Sequence, residues 1–135
     1  MNLPGALFAF AMLFTVACYS ATTETRDTIT PEILVAIEQQ ALIVDVRTPE
    51  EYADSHYPGA INIPHESILD GLNQLGVTTS TAVILYCRSG NRSGKAEQAL
   101  REKGFTEARN AGGLEALLSA TAQQASRPTP AQSSE

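Results

Sequence analysis

The stretch that most constrains this chain is Cys87-Arg88-Ser89-Gly90-Asn91-Arg92-Ser93, set between the apolar run 82–86 and a helix-forming segment 94–103. Five successive apolar residues suit a strand covered on both faces, as in a parallel sheet. In open α/β sheets, ligands bind at the C-terminal ends of such strands. A cysteine at this junction stands on a functional edge with a helix N-terminus directly behind it. The unpaired N–H groups of the first helical turn, and its partial positive charge, are directed at the sulfur. Arg88, Arg92 and Lys95 add cationic charge. Surroundings of this kind lower a thiol pKa from about 8.5 to roughly 3.5–7.5. Gly90 supplies the turn, and Ser93 is expected to cap the helix. The expected object is an anion-binding cup with a nucleophilic sulfur at its base. The alternative is a buried cysteine acting as a small hydrophobe. The glycine, the arginines and the serine-initiated helix favour the reactive thiol.

The run C-R-S-G-N-R-S-G resembles the active-site loop of the rhodaneses, a sulfurtransferase family. L-I-V-D-V-R-T-P-E-E-Y at 42–52 is similar to that family's first strand and the helix after it. H-Y-P-G-A-I-N-I-P at 56–64 and N-A-G-G-L at 110–114 are similar to the next and the closing blocks, so four blocks in order cover about residues 30–120. The resemblance implies a three-layer α/β fold with a mostly parallel central sheet flanked by helices. The alternation of strand and helix patterns supports the same class. It further implies that Cys87 accepts a sulfane sulfur as a persulfide. Arg88 and Arg92 would hold the sulfonate or sulfite anion, and Ser89, Gly90, Asn91 and Ser93 would complete the substrate-binding loop. Asp45 and Arg47 would brace the active-site edge, and the Gly112-Gly113 turn would pack close to the cysteine loop. The implied partners are a small anionic sulfur donor, such as thiosulfate, and a thiol or cyanide acceptor, with no metal or organic cofactor. Two histidines and one free cysteine would in any case make a poor zinc set. The sequence departs from the family pattern at Ser55, where glycine is usual before the histidine, and at Leu117, where many members carry tryptophan.

Two other readings of the loop remain. A non-catalytic sulfur carrier or binding module would need the same persulfide, and differs in turnover. Related cell-cycle phosphatases place one more residue between cysteine and arginine, whereas Cys87 and Arg92 are separated by four. The shorter loop suits a single sulfur atom better than a tetrahedral phosphate.

The net charge of −6 gives no nucleic-acid footprint. Five of the nine basic residues (Arg88, Arg92, Lys95, Arg101 and Lys103) fall in the loop and its helix, so a locally basic cup is expected, while Arg101 and Lys103, near the helix C-terminus, read as a solvated face. Residues 1–17 carry no charged side chain and read as the apolar core of a signal peptide, shorter than the ~20 residues of a membrane-spanning helix. Phe14-Thr15-Val16-Ala17-Cys18 resembles a bacterial lipoprotein signal box, which makes Cys18 a candidate for acylation and membrane attachment. Ordinary cleavage near Ser20 is the alternative. Both imply a periplasmic or cell-envelope location. Residues 18–29 read as a polar tether, 30–121 as the domain, and 122–135 as a disordered tail.

Within the domain, Thr30-Pro31-Glu32 opens a helix whose inner stripe is Ile33, Ile37 and Ala41. Asp45 lies inside the apolar run 42–46 and must be paired to be tolerated there. Arg47 is a candidate partner for Asp45 or Glu51. Thr48-Pro49-Glu50-Glu51 reads as a capping box. His56 reads as a loop histidine bonding backbone, residues 60–63 as a short strand, and His65 as surface. Ile68, Leu69, Leu72 and Leu75 mark an amphipathic helix stopped by Gly76. Residues 106–109 are expected as an edge strand, followed by a tight turn at Gly112-Gly113.

Overall fold

The computed structural model describes residues 29–127. The apolar leader, Cys18, most of the tether and residues 128–135 lie outside the described residues. The chain runs α1 (Pro31–Glu38), β1 (Leu42–Asp45), α2 (Pro49–Asp54), β2 (Ile61–Asn62), a 3-10 turn (His65–Ser67), α3 (Ile68–Gln74), β3 (Val83–Cys87), α4 (Asn91–Glu102), β4 (Ala108–Gly113) and α5 (Leu114–Ala125).

The strands form one sheet in the order β2-β1-β3-β4. Every pairing is parallel, with Val44 opposite Leu85 and Leu85 opposite Asn110. Alternation along β3 separates two apolar layers. Val83, Leu85 and Cys87 pack with Val44, Ile68, Leu72, Ala96 and Leu100, beneath α3 and α4. Ile84 and Tyr86 pack with Ile33, Ile43, Leu114 and Leu117, beneath α1 and α5. All five residues of β3 are buried, which is what its continuous apolar run requires. Full burial of a side chain such as Leu72, Leu85 or Leu100 is worth ~1.5–3 kcal/mol.

Three expectations change. β4 does not span 106–109: it runs Ala108–Gly113, so Gly112 and Gly113 lie in the strand and not in a turn after it. Polarity along 106–110 gives no apolar pattern to fix the strand's ends, which its backbone pairing with β3 sets instead. Helix α5 continues to Ala125, so residues 122–125 extend a helix rather than begin a tail. Gln124 at its end donates to Glu38 on α1. Leu75 lies beyond the last turn of α3 and is 59% exposed, off the apolar face.

Candidate active site

Because the strands are parallel, their C-terminal ends share one edge of the sheet. The connection from β1 passes through α2 to β2 on one side, and that from β3 passes through α4 to β4 on the other. The loops after β1 and β3 therefore diverge between adjacent strands, leaving a crevice of the kind in which α/β proteins bind ligands. Cys87 ends β3 at this point.

The helix after the cysteine starts earlier than the sequence pattern indicates. Gly90, at φ +87°, is the N-cap of α4, and Gly94 N–H donates to its carbonyl at 2.9 Å. Ser93 is therefore not the cap; it lies in the first turn, buried, facing the cysteine. The left-handed conformation that Gly90 adopts readily turns the chain in three residues, which brings first-turn groups onto the sulfur. Gly90 N–H donates to Cys87 Sγ at 3.0 Å, and the Ser93 hydroxyl lies 3.4 Å from it. Burial pushes the Cys87 thiol up. The Ser93 hydroxyl and the backbone amides of Ser93, Ser89 and Gly90 outweigh it, so the net shift is below the ordinary thiol value. Cys87 is only 1% exposed. Its sulfur is thus buried beneath the amides of the loop and the first turn of α4.

The C-terminal end of β4 packs against the same loop. A Cβ on Gly113 would stand 2.5 Å from the Arg88 carbonyl oxygen, so only glycine lets β4 approach the loop this closely. Opposite Cys87 the register shifts, and Gly113 pairs with it after Asn110 has paired with Leu85. Gly112, at φ +77°, lies within that irregular step. Asn110 joins three segments: its Oδ1 accepts from Ser93 Oγ at 2.7 Å and from Gly112 N–H at 2.9 Å, and its Nδ2 donates to the Gly90 carbonyl at 3.0 Å. Asn110 opens the N-A-G-G-L block, but an asparagine before Ala-Gly-Gly reads as turn chemistry, and nothing in the sequence marks its side chain as a partner of the cysteine loop.

The arginines are arranged differently from the expected basic cup. Arg47 binds the buried Asp45 through Nε at 2.9 Å and Nη2 at 2.6 Å, and donates to the Ser55 carbonyl. This closes the chain over the end of β1, where Asn62 also donates to the Asp45 and Arg47 carbonyls. Arg92 leaves the loop toward α2, and its two terminal nitrogens bind Glu51 at 2.7 and 3.0 Å. Hydrogen bonding from Arg92, then from Thr48 N–H, holds the Glu51 carboxyl down at about 2. Thr48 Oγ1 accepts from Glu51 N–H, which completes the capping box. Two guanidiniums are thus neutralised. Arg88 is exposed and makes no ion pair among the described residues. It lines a cleft of about 290 Å³ together with Arg47, Glu51, Asp54 and Glu115.

Ser89, Gly90 and Asn91 line a second cleft of about 560 Å³ with Lys95 and Asn110. His56 donates through Nδ1–H to the Tyr52 carbonyl, 2.8 Å away, as a loop histidine. Leu117 is fully buried against the α1–α5 face of the sheet. Among the described residues, no group of histidine, cysteine and carboxylate side chains could hold a metal ion.

Residues 30–120 match the family described as Rhodanese-like domain. The chain is 41% identical over 71 residues to the thiosulfate sulfurtransferase PspE of Escherichia coli, covering 53% of this chain and 68% of that protein. It is 36% identical over 104 residues to the uncharacterized protein YqhL of Bacillus subtilis, covering 77% and 81%. A solved structure described as a rhodanese with anions from E. coli matches at 38% identity with a TM-score of 0.54, covering 56% of this chain and 89% of that one.

Proposed function

The chain belongs to the Rhodanese-like family of sulfurtransferases, and from that membership we propose that it moves a sulfane sulfur from thiosulfate or a persulfide donor, through Cys87, to cyanide or a thiol. The Cys87 thiolate attacks the outer sulfur of thiosulfate. A sulfur–sulfur bond forms to Cys87 as the bond between the two thiosulfate sulfurs breaks, and the electron pair leaves with sulfite. Cyanide, or a thiolate, then attacks the outer sulfur of the persulfide, and the Cys87 thiolate returns. This is a covalent, two-step exchange with no net redox change in the protein.

The observation that carries this reading is the 3.0 Å bond from Gly90 N–H to Cys87 Sγ, with the Ser93 hydroxyl beside it. The same amides stabilise the thiolate and the anionic persulfide. Arg88, free of any carboxylate partner among the described residues, is the group best suited to meet the sulfonate of the donor. The apolar leader and the Cys18 box support a cell-envelope location, tested by the mass of the mature N-terminus.

Intact mass after thiosulfate treatment tests the assignment. One sulfur is expected on the wild-type protein and none on Cys87→Ala, with repeated turnover to thiocyanate when cyanide is supplied. Loading on Cys87→Ala would overturn the role of Cys87. Loading of one sulfur without turnover would make the protein a carrier rather than an enzyme.

A further inference from the structure

Arg92 has the residue type and loop position expected of an anion-binding group, yet its guanidinium is already engaged. Both terminal nitrogens face the Glu51 carboxylate, at 2.7 and 3.0 Å. This paired-nitrogen edge is the one a guanidinium uses to grip a carboxylate or sulfonate in two-bond fashion. Glu51 is not free to swing away from it. Its Oε2 also accepts Thr48 N–H at 3.1 Å, and its own N–H donates to Thr48 Oγ1. Glu51 is therefore fixed at the start of α2 while it holds a residue of α4, across the mouth of the crevice. It also lines the cleft that Arg88 enters.

We propose that Glu51 is a specificity-determining residue of the sulfur-transfer site: by occupying the paired-nitrogen edge of Arg92, it lowers the affinity of the cup for dianionic donors such as thiosulfate. A dianion must either displace a carboxylate anchored by its own helix cap or bind beside a neutralised arginine. Donors that carry their sulfane sulfur on a thiol with little negative charge meet no such competition. The inference rests on the sulfur-transfer reading and deepens it.

The test measures persulfide loading of Cys87 by intact mass as a function of thiosulfate concentration. Glutamine at position 51 retains an acceptor for Thr48 N–H but loses the charge that holds Arg92. In Glu51→Gln, half-maximal loading is expected at about fivefold lower thiosulfate, the size of effect typical of a partly exposed ion pair. The double variant Glu51→Gln, Arg92→Gln should lose that gain. Asp54→Asn removes a carboxylate from the same cleft without touching Arg92, and should shift loading much less. An unchanged or higher half-maximal concentration in Glu51→Gln overturns the inference. So does a gain that survives in the double variant, or an equal gain in Asp54→Asn. If wild-type protein takes up no sulfur at any thiosulfate concentration, the sulfur-transfer reading fails and this inference with it; if wild type loads and Glu51→Gln is unshifted, only the inference fails.

Discussion

The Ser93 hydroxyl stands 2.7 Å from Asn110 Oδ1 and 3.4 Å from Cys87 Sγ. A hydroxyl has one proton, so Asn110 and the sulfur share a single donor. The amide of Asn110 cannot reverse to avoid this, because Gly112 N–H requires an acceptor and the Gly90 carbonyl a donor. Asn110 thus positions Ser93 and, through Gly90, the loop amide nearest the sulfur. Ser93→Ala removes a donor that favours the charged form of the thiol, so the Cys87 pKa should rise from its depressed value. The pH dependence of alkylation by iodoacetamide checks this: the midpoint moves up in the variant. A midpoint unchanged or lowered in folded protein would remove Ser93 from the account.

Asp45 is completely buried, and Arg47 is its partner. Breaking a buried pair by removing one member leaves an uncompensated charge and typically costs ~3–5 kcal/mol. Asp45→Ala should therefore be among the most destabilising single changes in the domain. Urea unfolding would show a large drop in midpoint, and a loss below about 1 kcal/mol, the range of an exposed pair, would contradict the role assigned to this pair.

Gly113 meets the Arg88 carbonyl where a Cβ would lie 2.5 Å away. Its φ of −94° is open to any residue, so the constraint is space alone. Gly113→Ala must push the cysteine loop or β4 aside, an overpacking change worth ~1–3 kcal/mol. Because the displaced atoms belong to the loop, persulfide formation should fall further than the loss of stability explains. The rate of loading on fully folded Gly113→Ala protein measures this, and a wild-type rate would show that the loop tolerates the shift.

The Glu51 carboxyl titrates at about 2 in the folded protein, against 4.5 without its partners. A depressed carboxylate contributes stability that is fully present above its unfolded value and is lost as pH falls through the folded one. Wild-type protein should thus be more stable than Glu51→Gln at pH 6, by about 1 kcal/mol or less given partial exposure. The gap should close between pH 4.5 and pH 2. Thermal melts across that range decide the matter; a gap that stays constant would mean the ion pair does not supply the difference.

What the sequence by itself determined is local. The continuous apolar run placed β3 inside the sheet with its cysteine at the C-terminal edge, and Thr48 with Glu51 announced a cap that formed as a capping box. Asp45 and Arg47 are two residues apart, and a buried acid beside an arginine leaves few other partners. The family blocks carried the fold class as well. Only the tertiary structure decided which distant groups meet at the sulfur. Glu51 and Arg92 are 41 residues apart, and Ser93 and Asn110 are 17 apart. These meetings follow from parallel pairing of β1, β3 and β4, which brings the ends of separate chain segments to one edge. The start of α4 moved to Asn91 because the left-handed turn at Gly90, not the best capping side chain, set where the helix begins. Charge counted along the sequence predicted a basic cup. Folding delivered the Glu51 carboxylate to Arg92 from another segment, because partners are chosen by proximity in space, which a linear count does not contain.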